Sequence, residues 1–218
     1  LERQQVFDGV KHYHAEILRQ LFVPLTDSRG AKVLSQEAHR KVKEKVSTDL
    51  ERLRMRMESP ATSYNYDYDQ TVSLGELIST TIVSEYLNYI GITNRWMDVR
   101  ELIRTDANYR EGHVDWAMTQ LKAHAAKAAL AKQLTVTQGF IAGTPANTTT
   151  TLGREGSDYS AAILSHCLEA ERMTIWKDVP GFLNADPKYF KDTVKIDQLP
   201  YNEAIELAYY GASVIHPK

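Results

Sequence analysis

The sequence predicts an α/β sandwich with a mostly parallel sheet. Three observations lead there. From residue 71 onward, short β-rich apolar runs alternate with helical patterns. The chain has 218 residues, 43% hydrophobic and 25% charged, which suits a soluble globular unit made of one large domain or two small ones. There is no internal repeat, and no apolar run approaches the roughly 20 residues that a membrane helix needs.

Each element follows from local pattern. Val6, Val10, His14, Ile17, Leu18 and Leu21 recur at helical spacing and predict a first helix. Pro24 and "TDSRG" break it. Residues 32–57 form a second, very polar helix whose mixed charge marks a solvated face. "SPATSYNYDYDQ" reads as a polar surface loop, although its three tyrosines invite aromatic stacking. Residues 71–90 are a third helix with Leu74, Leu77, Ile78, Thr81, Ile82 and Tyr86 on one face, ended by Gly91. "TNRWMDV" predicts a short strand, and residues 98–115 are rich in loops. Residues 116–131 are an Ala- and Lys-rich helix. "LTVTQGFIAGT" predicts one buried strand closed by Gly143 and Pro145, and the threonines after it a further strand. A Gly-containing loop then leads into a helix over residues 157–168. "RMTIWKDV" predicts a strand and "PGFLNADPK" a loop. "YNEAIELAYYGA" predicts a helix capped by Gly211, and "SVIHPK" an extended end.

Composition excludes several functions. A net charge of −2 gives no general reason to expect nucleic-acid binding. The single cysteine, Cys167, cannot form an intrachain disulfide, which fits a reducing, cytoplasmic setting, and its spacing suits a small buried apolar residue. The chain opens without a secretory pattern. It starts at Leu1 rather than Met and stops at "VIHPK", as expected of a piece of a longer protein. His12 and His14 sit too close for one helix face, and no HExxH or Cys/His cluster occurs, so no metal ligands are assigned. Neither GxxxxGK[ST] nor GxGxxG is present, so a phosphate site must be of another type.

Three stretches carry chemistry, each open to a structural reading as well. In "TTTTLGREGSDYSAA" a Gly-rich turn leads from a strand into a helix, a setting that favours an anion. Arg154 adds a planar fork that suits a carboxylate. The structural alternative has Ser157 as an N-cap, Asp158 complementing the helix dipole and Arg154 on the surface. In "SLGE", Ser73 and Glu76 form either a capping box or a site where Glu76 faces a ligand cation such as an ammonium. In "WKDVPGFLNADPK", Lys177 and Lys188 could meet a polyphosphate, and Asp178 or Asp186 its metal or ribose. The alternative there is a solvated turn.

Together and in this order, "SLGELIST", "WMDVRELIRTD", "VTQGFIAGT", "TTTLGREGSDYSAAIL", "IWKDVPGFLNADPK" and "YNEAIELAYYGASVIHP" resemble the catalytic domain of aspartate kinases, in the amino-acid kinase superfamily. The resemblance covers residues 71–218 closely; residues 1–70, mostly helical, carry no specific motif. It implies a three-layer αβα sandwich over residues 1–218 that lacks the family's first strand. It also implies transfer of the ATP γ-phosphate to the side-chain carboxylate of L-aspartate, at the entry to lysine, threonine and methionine synthesis, with Mg²⁺. Glu76 is then expected to hold the ammonium, Arg154 a carboxylate and Ser157 the substrate. Phe140 and Thr151 line the pocket, and Asp158 orients the site. Lys177, Asp178, Leu183, Asp186, Lys188 and Ser213 are expected at the nucleotide.

The chain departs from the family pattern in several places. The Lys-Phe-Gly-Gly-Thr-Ser strand and the regulatory ACT domains are absent from this sequence, so it is expected to be inactive alone. An open sheet edge left by that strand predicts association with a second copy. Lys177 stands where many members have Thr, and Ser213 where many have Lys; Lys177 is expected to supply the charge that Ser213 lacks. Glu155, in place of a commoner Gly, is expected to point away or to pair with a lysine. Two other readings remain: a kinase for glutamate, carbamate or a nucleoside monophosphate, and a non-catalytic nucleotide-binding or subunit-contact module. Glu76 with Arg154 favours an α-amino acid bearing a second carboxylate.

Overall fold

One helix, α3 (Tyr64–Tyr89), forms the wall between two apolar clusters in the computed structural model, which describes residues 2–23, 25–26, 32–33, 35–210 and 214. On one side, Ile78 and Ile82 of α3 meet Phe7, Leu18 and Phe22 from α1 (Glu2–Leu21) and its end. Val42, Val46 and Leu50 of α2 (Ser35–Glu58) complete that cluster. On the other side, Leu74 and Leu77 pack with Val99, Ile103, Ile141, Leu152 and Ile163. Each of these side chains is buried, and full burial of one contributes about 1.5–3 kcal/mol. The face expected on α3 is the one that is buried.

The first helix turns slightly from the expected face. Phe7 goes inside while Val6 is 56% exposed, because Phe7, with Val10, Ile17, Leu18 and Leu21, lies on the stripe that meets α2. In the otherwise highly charged helix α2, Val42, Val46 and Leu50 form a buried i, i+4, i+8 stripe that faces the cluster, with Ala38, Leu53 and Met57 packed at its edges. Lys41 lies 3.3 Å from Glu85 of α3, and Lys45 bonds the same carboxylate. Two residue pairs, β1 (Leu25–Thr26) and β2 (Lys32–Val33), run antiparallel between α1 and α2. Helix α1 ends at Leu21; Pro24 and residues 27–30, expected to break the helical pattern, lie outside the described residues.

The stretch "SYNYDYDQ" is helix rather than loop. Ser63 caps α3, its side chain accepting from Tyr66 N, and Asp67 in the first turn accepts from Thr62 N at 2.8 Å. The helix therefore starts two turns before the predicted point. Ser73 is buried inside it, so "SLGE" is not a capping box.

The strands are short. β3 (Arg95–Trp96) pairs in parallel with β4 (Thr135–Val136). β5 (Ile141–Gly143) pairs antiparallel with β6 (Thr149–Thr151), with Ala142 opposite Thr150. Residue Arg104 bridges in parallel to Gly143, and Thr105 antiparallel to Val114. "LTVTQGFIAGT" is thus two strands, not one. Gln138 interrupts it because its buried side chain is needed elsewhere: Oε1 accepts from Val99 N at 2.9 Å and Nε2 donates to Thr80 Oγ1 at 2.9 Å. A 3₁₀ turn (Val99–Glu101) and helices α4 (Trp116–Leu130) and α5 (Gly156–Leu168) pack around these strands, giving an α/β fold. Cys167 is buried in α5, as expected. "RMTIWKDV" forms no strand; Trp176 is 91% exposed, and no strand among the described residues pairs with this stretch. α6 (Tyr201–Tyr209) follows, while Gly211 and residues 215–218 lie outside the described residues. No helix among the described residues is long and apolar enough to cross a membrane.

Asp69 joins these parts. It is fully buried, and its carboxylate accepts from Thr151 N at 2.9 Å, from Thr151 Oγ1 at 2.9 Å and from Arg110 N at 2.7 Å. Its neighbour Gln70 donates to Thr149 O at 2.7 Å and accepts from Thr149 N at 3.1 Å. Helix α3 is thereby bonded to β6 and to the loop before α4. Removing Asp69 leaves three donors without their acceptor. Asp69→Ala should lower the unfolding free energy by about 3 kcal/mol or more. Urea denaturation measures this, and a loss under about 1 kcal/mol would show that these bonds do not hold the three parts together.

Candidate active site

The site is built where the turn between β4 and β5 meets the start of α5. Phe140 takes φ 70°, rare for a bulky residue, and its amide donates to Ser160 Oγ at 2.8 Å while its carbonyl accepts from Leu152 N at 2.8 Å. Two glycines allow the close approach. A Cβ on Gly139 would lie 2.9 Å from Ser157 Cα, and one on Gly156 would lie 2.7 Å from Phe140 Cδ2. The Phe140 ring is therefore seated on the first turn of α5.

That first turn has no side-chain cap. The cap position is Glu155, in a left-handed conformation (φ 53°), and its side chain makes no capping bond. Ser157 is exposed inside the first turn rather than at the N-cap. The first-turn amides consequently have no side-chain acceptor of their own, which suits an anionic ligand.

An open cavity of about 760 Å³ lies beside this helix end, and Phe140, Thr151 and Arg154 line it together with Gly153, Tyr68 and Arg110. Three residues expected at the substrate are thus brought to one place. Arg154 is exposed and has no carboxylate partner among the described residues. Ser157 packs against Gly139 at the base of the same turn.

Asp158 and Glu155 share one cation. Lys177 Nζ lies 2.7 Å from Asp158 Oδ2 as an ion pair and 3.0 Å from Glu155 Oε2. Asp158, then Glu155, push the Lys177 ammonium above its ordinary range, so it stays charged at neutral pH. Glu155 pairs with a lysine, one of its two expected fates. Glu76 is half-buried on α3, and burial alone raises its carboxyl; no cation among the described residues pairs with it.

The residues expected at the nucleotide are more dispersed. Asp178 is exposed after an irregular stretch rather than at a strand end. Leu183 bridges antiparallel to Lys195. Asp186 is used within its own turn, accepting from Lys188 N at 2.8 Å, and both side chains are exposed. Ser213 lies outside the described residues. Among the described residues no group of three or more His, Cys, Asp or Glu could hold a metal ion.

Sequence reasoning missed Asp69, Tyr68 and Arg110. The signal for Asp69 was available: Asp69, Ser73 and Leu77 repeat at i, i+4, i+8 and are all buried, so the period of α3 extends back into the tyrosine stretch. For Arg110 there was none, because its placement depends on the loop that Asp69 anchors.

Comparison with known proteins agrees with this architecture. The model of the amino acid kinase family matches residues 12–218. The lysine-sensitive aspartokinase 3 of Escherichia coli is 41% identical over 149 residues, covering 68% of this chain and 33% of that protein. Crystal structures of E. coli aspartokinase III superpose on 99% of this chain at 34% identity. The complex with lysine and aspartate gives a TM-score of 0.84 over 46% of that chain, and the complex with aspartate and ADP gives 0.83 over 45%. The chain thus spans less than half the length of these relatives. By its α/β architecture and a family match over nearly its whole length, this chain belongs to the amino acid kinase family.

Proposed function

We propose that the chain carries the catalytic domain of an aspartate kinase. The observation that carries this reading is the single cavity joining Phe140, Thr151 and Arg154 beside an uncapped helix start. Likeness to an aspartokinase solved with aspartate and ADP supports the choice of acceptor and nucleotide.

In the proposed reaction an oxygen of the aspartate side-chain carboxylate attacks the γ-phosphorus of ATP. The bond from that phosphorus to the β,γ-bridging oxygen breaks, and ADP leaves with the electron pair. No base is required, since a carboxylate with a pKa of about 3.9 is already ionised at neutral pH. Two anions must meet, so catalysis is alignment plus charge neutralisation. Arg154 grips a carboxylate of the acceptor, Glu76 takes its ammonium, and Ser157 with the first-turn amides of α5 completes its seat. Phe140 and Thr151 shape the wall. Lys177 serves the phosphates, and Asp158 is a positioning residue that holds Lys177. Leu183, Asp186 and Lys188 form the outer nucleotide loop, with Ser213 in the same half of the site.

Mg²⁺ fits this donor set as an ion carried by the nucleotide. It keeps several waters and needs only one or two carboxylates, which exposed Asp178 could supply. When bound, it neutralises phosphate charge.

The direct test is an assay of ADP release by the full-length protein, with the acyl phosphate trapped by hydroxylamine. L-aspartate should support turnover, while L-glutamate, carbamate and nucleoside monophosphates should not. Turnover with one of those and none with aspartate refutes the reading. Arg154→Ala should raise KM for aspartate about 10- to 100-fold, the range expected for a lost charged hydrogen bond.

Glu76 yields opposite effects on binding and stability. Its folded pKa is raised, so the fold favours the neutral form, and the contribution from neutral Glu76 is lost as pH rises through that pKa. Glu76→Gln should therefore raise the melting temperature at pH 7 while weakening aspartate binding about 10-fold. In the wild type, aspartate affinity should fall with acidification, beginning at a higher pH than for an exposed carboxylate, and the substitution should flatten that dependence. A melting temperature that drops at pH 7 would mean that Glu76 has a hidden partner in the free protein.

Lys177→Thr should raise KM for ATP by about 10-fold or more and, by leaving Glu155 and Asp158 unneutralised beside the cavity, raise KM for aspartate by a smaller factor. An unchanged KM for ATP in steady-state kinetics would confine Lys177 to a structural role at α5.

A further inference from the structure

Two guanidinium groups line the cavity, and only Arg154 has been given a task so far. We propose that Arg110 is the second anion-binding residue of the acceptor pocket, so that Arg110 and Arg154 together select a ligand with two carboxylates. This rests on the cavity being the acceptor site, as argued above.

Arg110 is held with unusual care for an exposed residue. Its backbone is left-handed (φ 71°), a conformation that costs a non-glycine residue about 1–2 kcal/mol. Its amide is fixed on the buried Asp69 carboxylate at 2.7 Å. Its guanidinium lies 4.9 Å from the Tyr68 ring centre and 5.4 Å from that of Tyr64. Cation–π contact consumes no N–H donor. The guanidinium makes no side-chain hydrogen bond to another described residue, so its planar fork is free for bidentate capture of a carboxylate.

The contrast with other arginines is informative. Arg19, Arg40, Arg52, Arg54, Arg56 and Arg100 each meet a carboxylate, while Arg3 and Arg104 donate to backbone carbonyls. Neither arginine of the cavity has a carboxylate partner among the described residues, although each adjoins a backbone strained into the left-handed region: Arg110 itself, Phe140 opposite, and Glu155 next to Arg154. Strain kept at three points around one cavity, whose lining carries two guanidinium groups against the single carboxylate of Glu111, fits an anionic ligand better than chance surface placement. A monoanion with a neutral amide would satisfy only one fork.

Isothermal titration of the full-length protein with L-aspartate, L-asparagine and succinate tests this, using Arg110→Gly and Arg110→Lys. Glycine adopts the left-handed conformation freely and keeps the amide bond to Asp69, so the melting temperature should hold or rise. Arg110→Gly should weaken L-aspartate and succinate about 10-fold or more while leaving L-asparagine within about 2-fold. Arg110→Lys, which keeps charge but not the fork, should restore only part of the loss. Unchanged aspartate affinity in Arg110→Gly overturns the role of Arg110 and leaves the aspartate kinase reading standing. Equal losses for asparagine and aspartate overturn it too, since the effect would then be structural. Succinate binding that depends on Arg110, with no binding of aspartate, supports the two-arginine site and sinks the kinase reading. Binding of neither dicarboxylate to the wild type sinks both.

Discussion

Water is excluded from the Asp69 carboxylate, so its oxygens must find donors inside the fold. They find them on two other segments, Thr151 in β6 and the amide of Arg110. A buried anion tolerates little displacement of its donors, because a lengthened bond inside the protein is not replaced by one to solvent. Helix α3, strand β6 and the loop before α4 are therefore fixed to each other through a single side chain. Two walls of the cavity, Thr151 and Arg110, are set by that constraint.

The third wall is set by the absence of side chains. Gly139 and Gly156 let the β4–β5 connection and a helix start touch, and this contact aims the Phe140 ring. At the same helix start two carboxylates, Glu155 and Asp158, would oppose an incoming anion. Lys177 neutralises them without occupying Arg154. The helix end thus keeps its positive character toward the cavity while its acidic residues are turned to a lysine from the following segment.

Regular periodicity made most helices legible in the sequence: α3 by its apolar face, α4 by its Ala-rich stretch, α5 by its start after the Gly loop. What escaped prediction has a physical cause in each case. Tyr64 to Gln70 reads as loop because its buried residues are polar, and burial of Asp69 is stabilised only by partners remote in sequence. The strand broken at Gln138 keeps the composition of a strand, and only the bonds to Val99 and Thr80 reveal the break. Ser157 looked like a cap because sequence gives no sign that Glu155 adopts a left-handed backbone. Phe140, Thr151 and Arg154, which line one cavity, were legible because they lie in two contiguous motifs. Arg110 was not, because neither its loop nor its spacing carries a motif.

Helix α3 faces both clusters, with Leu74 and Leu77 turned to one and Ile78 and Ile82 to the other. In the language of hydrogen exchange, this makes the molecule one cooperative unit with two interiors. Amides in the middle of α3 can open only when both interiors lose their shared wall, so they exchange through global unfolding. The α1–α2 layer, by contrast, borders mainly one interior and reaches the other only through Leu53. It forms the natural boundary of any smaller opening, and such an opening leaves Asp69 and the cavity intact.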